Sequence, residues 1–313
     1  MENKNLDLTV KEPLRYRFED VPSCNMCGRE SSKNKVLGLR LNCSHGLMPK
    51  SKTGVAVTVV SCNGCGLIYS LPLPVPFDLQ DHYGIPADDY WVPEYFVINP
   101  EYFMDEINKA KELLQFRSGM KALDIGAGLG KCMIALSSAG FDVEGFEPSV
   151  TFREKALEKM GIDPNKLKFG MIEEMDYSPG SFDFITFGAV LEHLYNPDEA
   201  IRKALSWLRK DGVIQIEVPS SDWLIARLLN AYYRLTGNSY VTNISPMHSP
   251  FHLYAFTLDS FMKNAERSGY EVAYYEYSVC DLFHIPKLFH PFFRWYMDKT
   301  RKGMQLTVWL RKK

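Results

Sequence analysis

The chain has 313 residues, 46% of them hydrophobic and 24% charged, with a formal net charge of −2 at pH 7. This is globular composition with room for about two domains. The missing basic excess disfavours a nucleic-acid partner, and no uninterrupted apolar run approaches the length of a membrane helix.

The opening segment, "MENKNLDLTVKEPLRYRFED", is charged and lacks the apolar centre of a signal peptide. A cytoplasmic protein with reduced thiols is predicted. Seven cysteines is an odd number, which weakens a disulfide framework. Four of them fall in two near-repeats, "SCNMCG" (Ser23–Gly28) and "SCNGCG" (Ser61–Gly66). Cys24, Cys27, Cys62 and Cys65 thus form two C-x-x-C hairpins. Each tight turn directs two sulfurs at one point, and the following glycine keeps a Cβ out of the way. Four thiolates close a tetrahedral zinc site with no open position, so a structural Zn2+ is expected rather than a catalytic one. Cys43 and His45, between the hairpins, read as loop residues or substitute ligands. "GVAVTVVSC" and "GLIYS" read as strands. Residues 1–76 form a zinc-ribbon-like module ending in "LPLPVP" (Leu71–Pro76), which reads as a stiff linker.

Residues 77–118 form an aromatic bridge. Tyr83, Tyr90, Trp91, Tyr95 and Tyr102 either line a pocket or pack the bridge onto the next domain, with packing favoured. Phe103, Ile107, Ala110, Leu113 and Leu114 have helical spacing, which predicts a helix from about Pro100 to Phe116.

"MKALDIGAGLGKCMIALSSAGFDVEGFEPS" (Met120–Ser149) reads strand, glycine loop, helix, strand. The loop, Gly126-Ala127-Gly128-Leu129-Gly130, brings its third glycine one residue earlier than the dinucleotide pattern G-x-G-x-x-G. Asp124 precedes it near the strand end, where a carboxylate suits a cationic ligand better than a pyrophosphate. S-adenosylmethionine carries an ammonium, a sulfonium and a ribose diol but no phosphate. Asp124 would serve its ammonium side through the loop, and Glu147 would accept both ribose hydroxyls. Here the chain resembles the class I S-adenosylmethionine-dependent methyltransferases. "LDIGAGLG" is similar to their first motif and "VEGFEPS" to their second. "SFDFITFGAVLEHLYNPDEAIRKALSWLRKDGVIQIEVPS" (Ser181–Ser220) is similar to their fourth strand, helix and fifth strand.

The resemblance covers residues 119–313. It implies a doubly wound α/β, Rossmann-like methyltransferase sheet with an antiparallel final strand. It implies a cofactor set of Asp124, Gly126, Ala127, Gly128, Gly130, Glu147, Pro148, Phe187 and Gly188, with Met171 and Ile172 at the adenine. Asn196-Pro197 caps a helix running to about Arg209, and Asp211-Gly212 turns into a strand Val213–Val218. Residues 221–256 form a lid-like insertion. Its helix "DWLIARLLNAYYRL" packs over the acceptor pocket or lies on a membrane surface, with packing favoured. His193 follows the fourth strand beside the expected position of the transferable methyl, and His248 and His252 sit in the insertion. Imidazole suits proton removal near neutral pH, so these three are the candidate catalytic residues. Glu192 either orients His193 or satisfies backbone, with a structural or cofactor-side role favoured.

Methyltransferases combining such a module with this core resemble enzymes of sugar, surface-polysaccharide or secondary-metabolite pathways. A small sugar-like or nucleotide-linked sugar acceptor is therefore expected, by O- or C-methylation. An RNA methyltransferase gripping its substrate with the ribbon, and a non-catalytic S-adenosylmethionine-binding or interaction protein, are the alternatives. The charge balance disfavours the first, and the intact glycine loop with Glu147 disfavours the second.

Overall fold

The computed structural model describes residues 16–42, 55–78, 80, 91–279, 282 and 285–313. Cys43, His45, Tyr83 and Tyr90 lie outside the described residues.

The N-terminal region is built from β1 (Tyr16–Glu19), β2 (Lys35–Leu41), β3 (Ala56–Ser61), β4 (Ile68–Leu71) and β5 (Leu73–Pro76). β2, β3 and β4 pair antiparallel in sequence, and β5 turns away to pair antiparallel with β1. Leu71–Pro76 is therefore not the expected linker. It is the end of β4 followed by a fully buried strand. Proline is tolerated on a strand whose free side has no ladder to complete, and among the described residues β5 pairs with β1 alone.

Next come α1 (Met104–Leu114), β6 (Lys121–Ile125), α2 (Lys131–Ser138), β7 (Asp142–Glu147), α3 (Val150–Met160), β8 (Leu167–Phe169), β9 (Phe182–Gly188), α4 (Pro197–Trp207) and β10 (Leu208–Pro219). α1 is shorter than its apolar stripe suggested, and buries Ile107, Ala110 and Leu114. β9 is buried on both faces, as a near-continuous apolar run in a parallel sheet should be. Asn196 caps α4 by accepting from the Glu199 N–H at 3.3 Å. α4 stops at Trp207, and no turn forms at Asp211-Gly212. The chain stays extended from Leu208, which pairs with Phe182, and crosses a register irregularity before Val213. A Cβ at Gly212 would stand 2.9 Å from the Asp183 carbonyl, so only glycine permits that approach.

The insertion contributes α5 (Leu224–Leu235) and β11 (Tyr254–Ala255), and the chain ends with α6 (Leu258–Ser268), β12 (Tyr270–Ser278), α7 (His290–Thr300) and β13 (Gln305–Lys312). The main sheet has seven strands in the order β12-β13-β10-β9-β6-β7-β8. β13 runs antiparallel to both neighbours, and the strands from β10 to β8 are parallel. The order reverses at β6, between β9 and β7, so the ligand crevice of a doubly wound sheet lies at the carboxyl ends there.

β11 joins the N-terminal sheet, pairing antiparallel with β4 to give the order β11-β4-β3-β2. The cysteine region and the main sheet also share one core, which holds Cys24, Met26, Cys62 and Tyr69 together with Ile185, Phe187 and Phe261. α5 buries Ile225, Ala226 and Tyr233 while Leu228, Tyr232 and Leu235 stay exposed. Among the described residues no helix is long and apolar enough to cross a membrane.

Candidate active site and cysteine cluster

The crevice is assembled where β6 and β7 end. Gly126, Gly128 and Gly130 all have positive φ. At Gly130 a Cβ would strike Ile162 at 2.7 Å, whereas at Gly128 it would meet nothing within 4 Å. The loop is thus tight against the protein at Gly130 and open towards the crevice at Gly128, as a cradle for a ligand requires. Glu147 ends β7 with both oxygens engaged, accepting the Gly128 N–H at 2.7 Å and the Ser149 N–H at 2.8 Å. Each carboxylate oxygen keeps a second lone pair for a ligand hydroxyl. Burial pushes its carboxyl up to about 7.

Asp124 is buried, and its Oδ2 has no hydrogen-bond partner among the described residues. Burial, then the charge of Glu147, pushes it up to about 8. A buried orphan acceptor is costly unless a ligand supplies the donor. Glu217, near the end of β10, accepts from the Gln305 side chain at 2.9 Å and is also raised, to about 7, by burial and by Glu106 and Glu276. The Tyr102 phenol, lifted by burial, feels the charges of Cys132, Asp124, Glu217 and Glu106. Burial favours the protonated form of each of these carboxyls, and a cationic ligand beside Asp124 would favour its charged form. This donor and charge set fits S-adenosylmethionine. α1 packs on β10 in the fold, which brings Glu106 near Glu217.

Other expected cofactor residues fall into place unevenly. Ala127 is buried, its N–H donating to the Phe146 carbonyl at 3.0 Å. Pro148 borders Glu147, and its carbonyl accepts from Gln80 at 2.9 Å, so the bridge reaches the crevice edge. Trp91 packs edge-on against Phe152 of α3, with ring centroids 5.1 Å apart. Met171 is half-buried and Ile172 buried, in the turn after β8. The Phe187 side chain lies wholly in the core, leaving only its backbone near the crevice. Gly188 is exposed, with open space where a Cβ would be.

A cavity of about 370 Å³ opens beside the ends of β9 and β10, with Ala189 and Pro219 in its wall. Arg40, Glu192, Trp223, Asn243, His248 and His252 line it as well. The insertion supplies most of this wall, but Arg40 comes from β2, so the N-terminal sheet reaches the cavity directly. Arg40 Nε donates to His248 Nε2 at 3.2 Å and its Nη1 to the Val241 carbonyl at 2.9 Å. His248 Nδ1 lies 2.9 Å from the Ser249 carbonyl. Both ring nitrogens of His248 are therefore engaged, which suits a fixed wall residue rather than a proton acceptor.

His193 and His252 are arranged differently. Their rings meet edge to face with centroids 5.0 Å apart. Glu192, whose side chain is 1% exposed, points Oε1 at both, 3.9 Å from His193 Nε2 and 3.7 Å from His252 Nε2. The backbone locks the two segments together, since the Leu253 N–H donates to the Glu192 carbonyl at 2.9 Å. His193 Nδ1 bonds the Phe251 carbonyl at 3.2 Å. Burial lowers His193 to about 4 and His252 to about 3, and raises Glu192 to about 8. At neutral pH the trio is two neutral imidazoles beside a protonated carboxyl. Its spacing, within 4.8 Å, would also allow one cation to be shared. Only His252 of the pair lines the cavity; His193 stands behind it.

The four hairpin sulfurs also lie within 4.8 Å of one another, with Cys24–Cys65 at 3.7 Å and Cys27–Cys62 at 3.5 Å. A tetrahedral site with Zn–S bonds of about 2.3 Å has edges of about 3.8 Å. The two hairpins are the same local structure. Gly28 N–H donates to Cys24 O and Gly66 N–H to Cys62 O, each at 2.8 Å, with φ of 74° and 75° at the glycines. Crowding splits the thiols. Bonds from Cys24 and Cys65 pull Cys62 far down, while the bond to Cys62 pushes Cys24 up to about 12. The sulfur-only donor set and its spacing fit Zn2+.

A family model described as a methyltransferase domain matches residues 98–275, more than half of the chain. The chain belongs to the methyltransferase-domain family. Its β6-to-β10 unit is this family's α/β fold, and the match begins in the bridge and ends in β12. Similar curated relatives include a ubiquinone biosynthesis O-methyltransferase of Shewanella pealeana, 27% identical over 139 residues, covering 43% of this chain and 56% of that protein. A mitochondrial counterpart of Schizosaccharomyces pombe is 27% identical over 173 residues, covering 54% and 58%. A demethylmenaquinone methyltransferase of Staphylococcus aureus is 33% identical over 102 residues, covering 31% and 42%. The chain spans about half the length of these relatives. Among solved structures, a putative S-adenosylmethionine-dependent methyltransferase from Listeria monocytogenes is similar at a TM-score of 0.48 and 16% identity, covering 67% of this chain and 97% of that one.

Proposed function

We propose that this methyltransferase-family chain transfers the methyl group of S-adenosylmethionine to a hydroxyl of a small sugar-like acceptor, in a reducing compartment such as the cytoplasm. The observation that carries the reading is the cavity of about 370 Å³ at the ends of β9 and β10, with the Glu192–His252 pair in its wall. Its size suits a small molecule, and Arg40, Asn243, His248 and His252 give it more hydrogen-bonding groups than a purely apolar ring would need.

When bound, the cofactor would supply an electrophilic sulfonium methyl, with the neutral thioether as its leaving group. Asp124 and Glu147 would hold its ammonium side and ribose. His252 takes the acceptor proton as the new O–CH3 bond forms and the S–CH3 bond breaks. The imidazolium so formed faces Glu192, whose own proton can then leave for solvent, so no isolated cation is left buried. His193 fixes this arrangement from behind. His252→Ala is expected to lower kcat about 100-fold or more with cofactor affinity unchanged, and His193→Ala to lower it less. Full turnover in both variants would remove the histidines from the chemistry.

Cofactor binding should also depend on pH. Asp124 and Glu147, raised to about 8 and about 7, hold protons that a cationic ligand expels. Affinity is therefore expected to rise between about pH 6 and about pH 8 and then level off. Calorimetric titrations across that range check it, and flat or falling affinity would contradict the assignment.

A phenolic acceptor is the second reading, favoured by the names of the relatives and by Trp223 in the cavity wall. Transfer of labelled methyl to a panel of nucleotide sugars, catechols and RNA separates these. Uptake by sugars is expected, uptake by catechols alone would move the acceptor to the aromatic class, and uptake by RNA alone would overturn both.

A further inference from the structure

The first cysteine hairpin makes contacts that a purely structural metal site has no need of. Asn25, between Cys24 and Cys27, donates through Nδ2 to the Tyr195 carbonyl at 3.1 Å and to the Tyr254 hydroxyl at 2.8 Å. The Tyr254 hydroxyl donates in turn to the Tyr195 carbonyl at 2.9 Å. Tyr195 follows His193 by two residues, and Tyr254 follows His252 by two. One amide, on the turn that presents two metal-ligating sulfurs, thus ties together the two segments carrying the histidine pair. Its neighbour is anchored as firmly, because the Met26 carbonyl accepts from Asn264 at 3.0 Å and from Arg267 at 2.9 Å, both on α6. The second hairpin is tied to the same region by a different route: the Cys65 carbonyl accepts from Thr257, and β4, which follows it, pairs with β11 at Tyr254 and Ala255.

We propose that the metal-bound hairpin is a clamp that sets the His193–His252 geometry, with Asn25 as the positioning residue that transmits it. The proposal rests on the catalytic reading of the pair only for its effect on turnover. The spatial claim stands on the hydrogen bonds above. Two segments nearly 60 positions apart in sequence (His193 and Phe251 are 58 apart) must be held within a fraction of an ångström for proton transfer, and misplacement of about 1 Å can cost about 100-fold in rate. A short polar chain from a closed metal site is stiffer than a loop packed by side chains alone.

The test uses the full chain with isotope-labelled histidine rings. Asn25→Ala should retain its metal and its cofactor affinity, lower kcat about 10- to 100-fold, and move the ring signals of His193 and His252 while that of His290 stays. Tyr254→Phe removes only the bridging hydroxyl, so it decides the matter if Asn25→Ala fails to load metal; it should move the same two signals. Removal of the metal with a chelator should move them further. Ring signals unmoved in Tyr254→Phe and in any metal-loaded Asn25→Ala would overturn the clamp. Moved signals with unchanged turnover would support the clamp and sink the catalytic role of the histidines, so the two failures are distinguishable.

Discussion

Glu147→Ala is expected to weaken S-adenosylmethionine binding about 100-fold while leaving the fold intact. Hydrogen bonds to a charged group contribute about 1.5–3 kcal/mol each, and on the proposed reading Glu147 would accept ribose hydroxyls while holding the Gly128 and Ser149 N–H groups. Alanine removes the ribose acceptor and the tether that shapes the glycine loop. The free protein should not suffer in the same way. The Glu147 carboxyl is raised to about 7 in the folded chain, against about 4.3 when unfolded. The folded state therefore keeps a proton that the unfolded state has lost, and this group costs stability as pH rises from about 4.3 to about 7. Glu147→Ala should thus lose affinity yet melt no lower than the parent at pH 8. Calorimetry and thermal melting check the two halves, and unchanged affinity would mean that the ribose lies elsewhere.

The second large effect concerns the cysteines. Metal analysis of protein purified without chelator is expected to find about one zinc per chain, and Cys62→Ser to destroy the site. Zinc-finger peptides gain about 10–16 kcal/mol from their metal. Here β3, β4 and β11 supply packing of their own, so the loss is expected to be smaller, about 5 kcal/mol, or about 10 °C in Tm. The damage should not stay local, because Cys24, Cys62 and Cys65 belong to the same core as Phe187 and Phe261. Metal-free protein whose Tm ignores the cysteines would contradict the site.

Much of this was legible in the sequence because it is local. The β6–loop–α2–β7 unit, the Asn196-Pro197 start of α4 and the repeated cysteine turns each depend on residues a few positions apart. What was not legible depends on distant partners. The prolines of Leu71–Pro76 argued against a strand, and only the pairing with β1 explains why one forms. Asp211-Gly212 carried a turn signal that the pairing of Leu208 with Phe182 overrides. The contacts of Arg40 with His248 and Val241, and of Asn25 with Tyr195 and Tyr254, join residues about 170 or more positions apart and carry no local signal. Motif position puts His193 ahead of His252 and His248, whereas the cavity is lined by the latter two and not by His193. Their hydrogen bonds separate them into a backing residue, a wall residue and a cavity-facing ring.

The central claim is that the Asp124–Glu147 crevice holds S-adenosylmethionine with its reactive end turned towards His252. A crystal structure of the chain with S-adenosylhomocysteine, the demethylated product, tests it most directly. The expected density has ribose hydroxyls on Glu147, the amino group within reach of Asp124 Oδ2, and the sulfur facing the cavity beside Ala189 and His252. Density for the ligand at another site, or a sulfur turned away from that cavity, would contradict it.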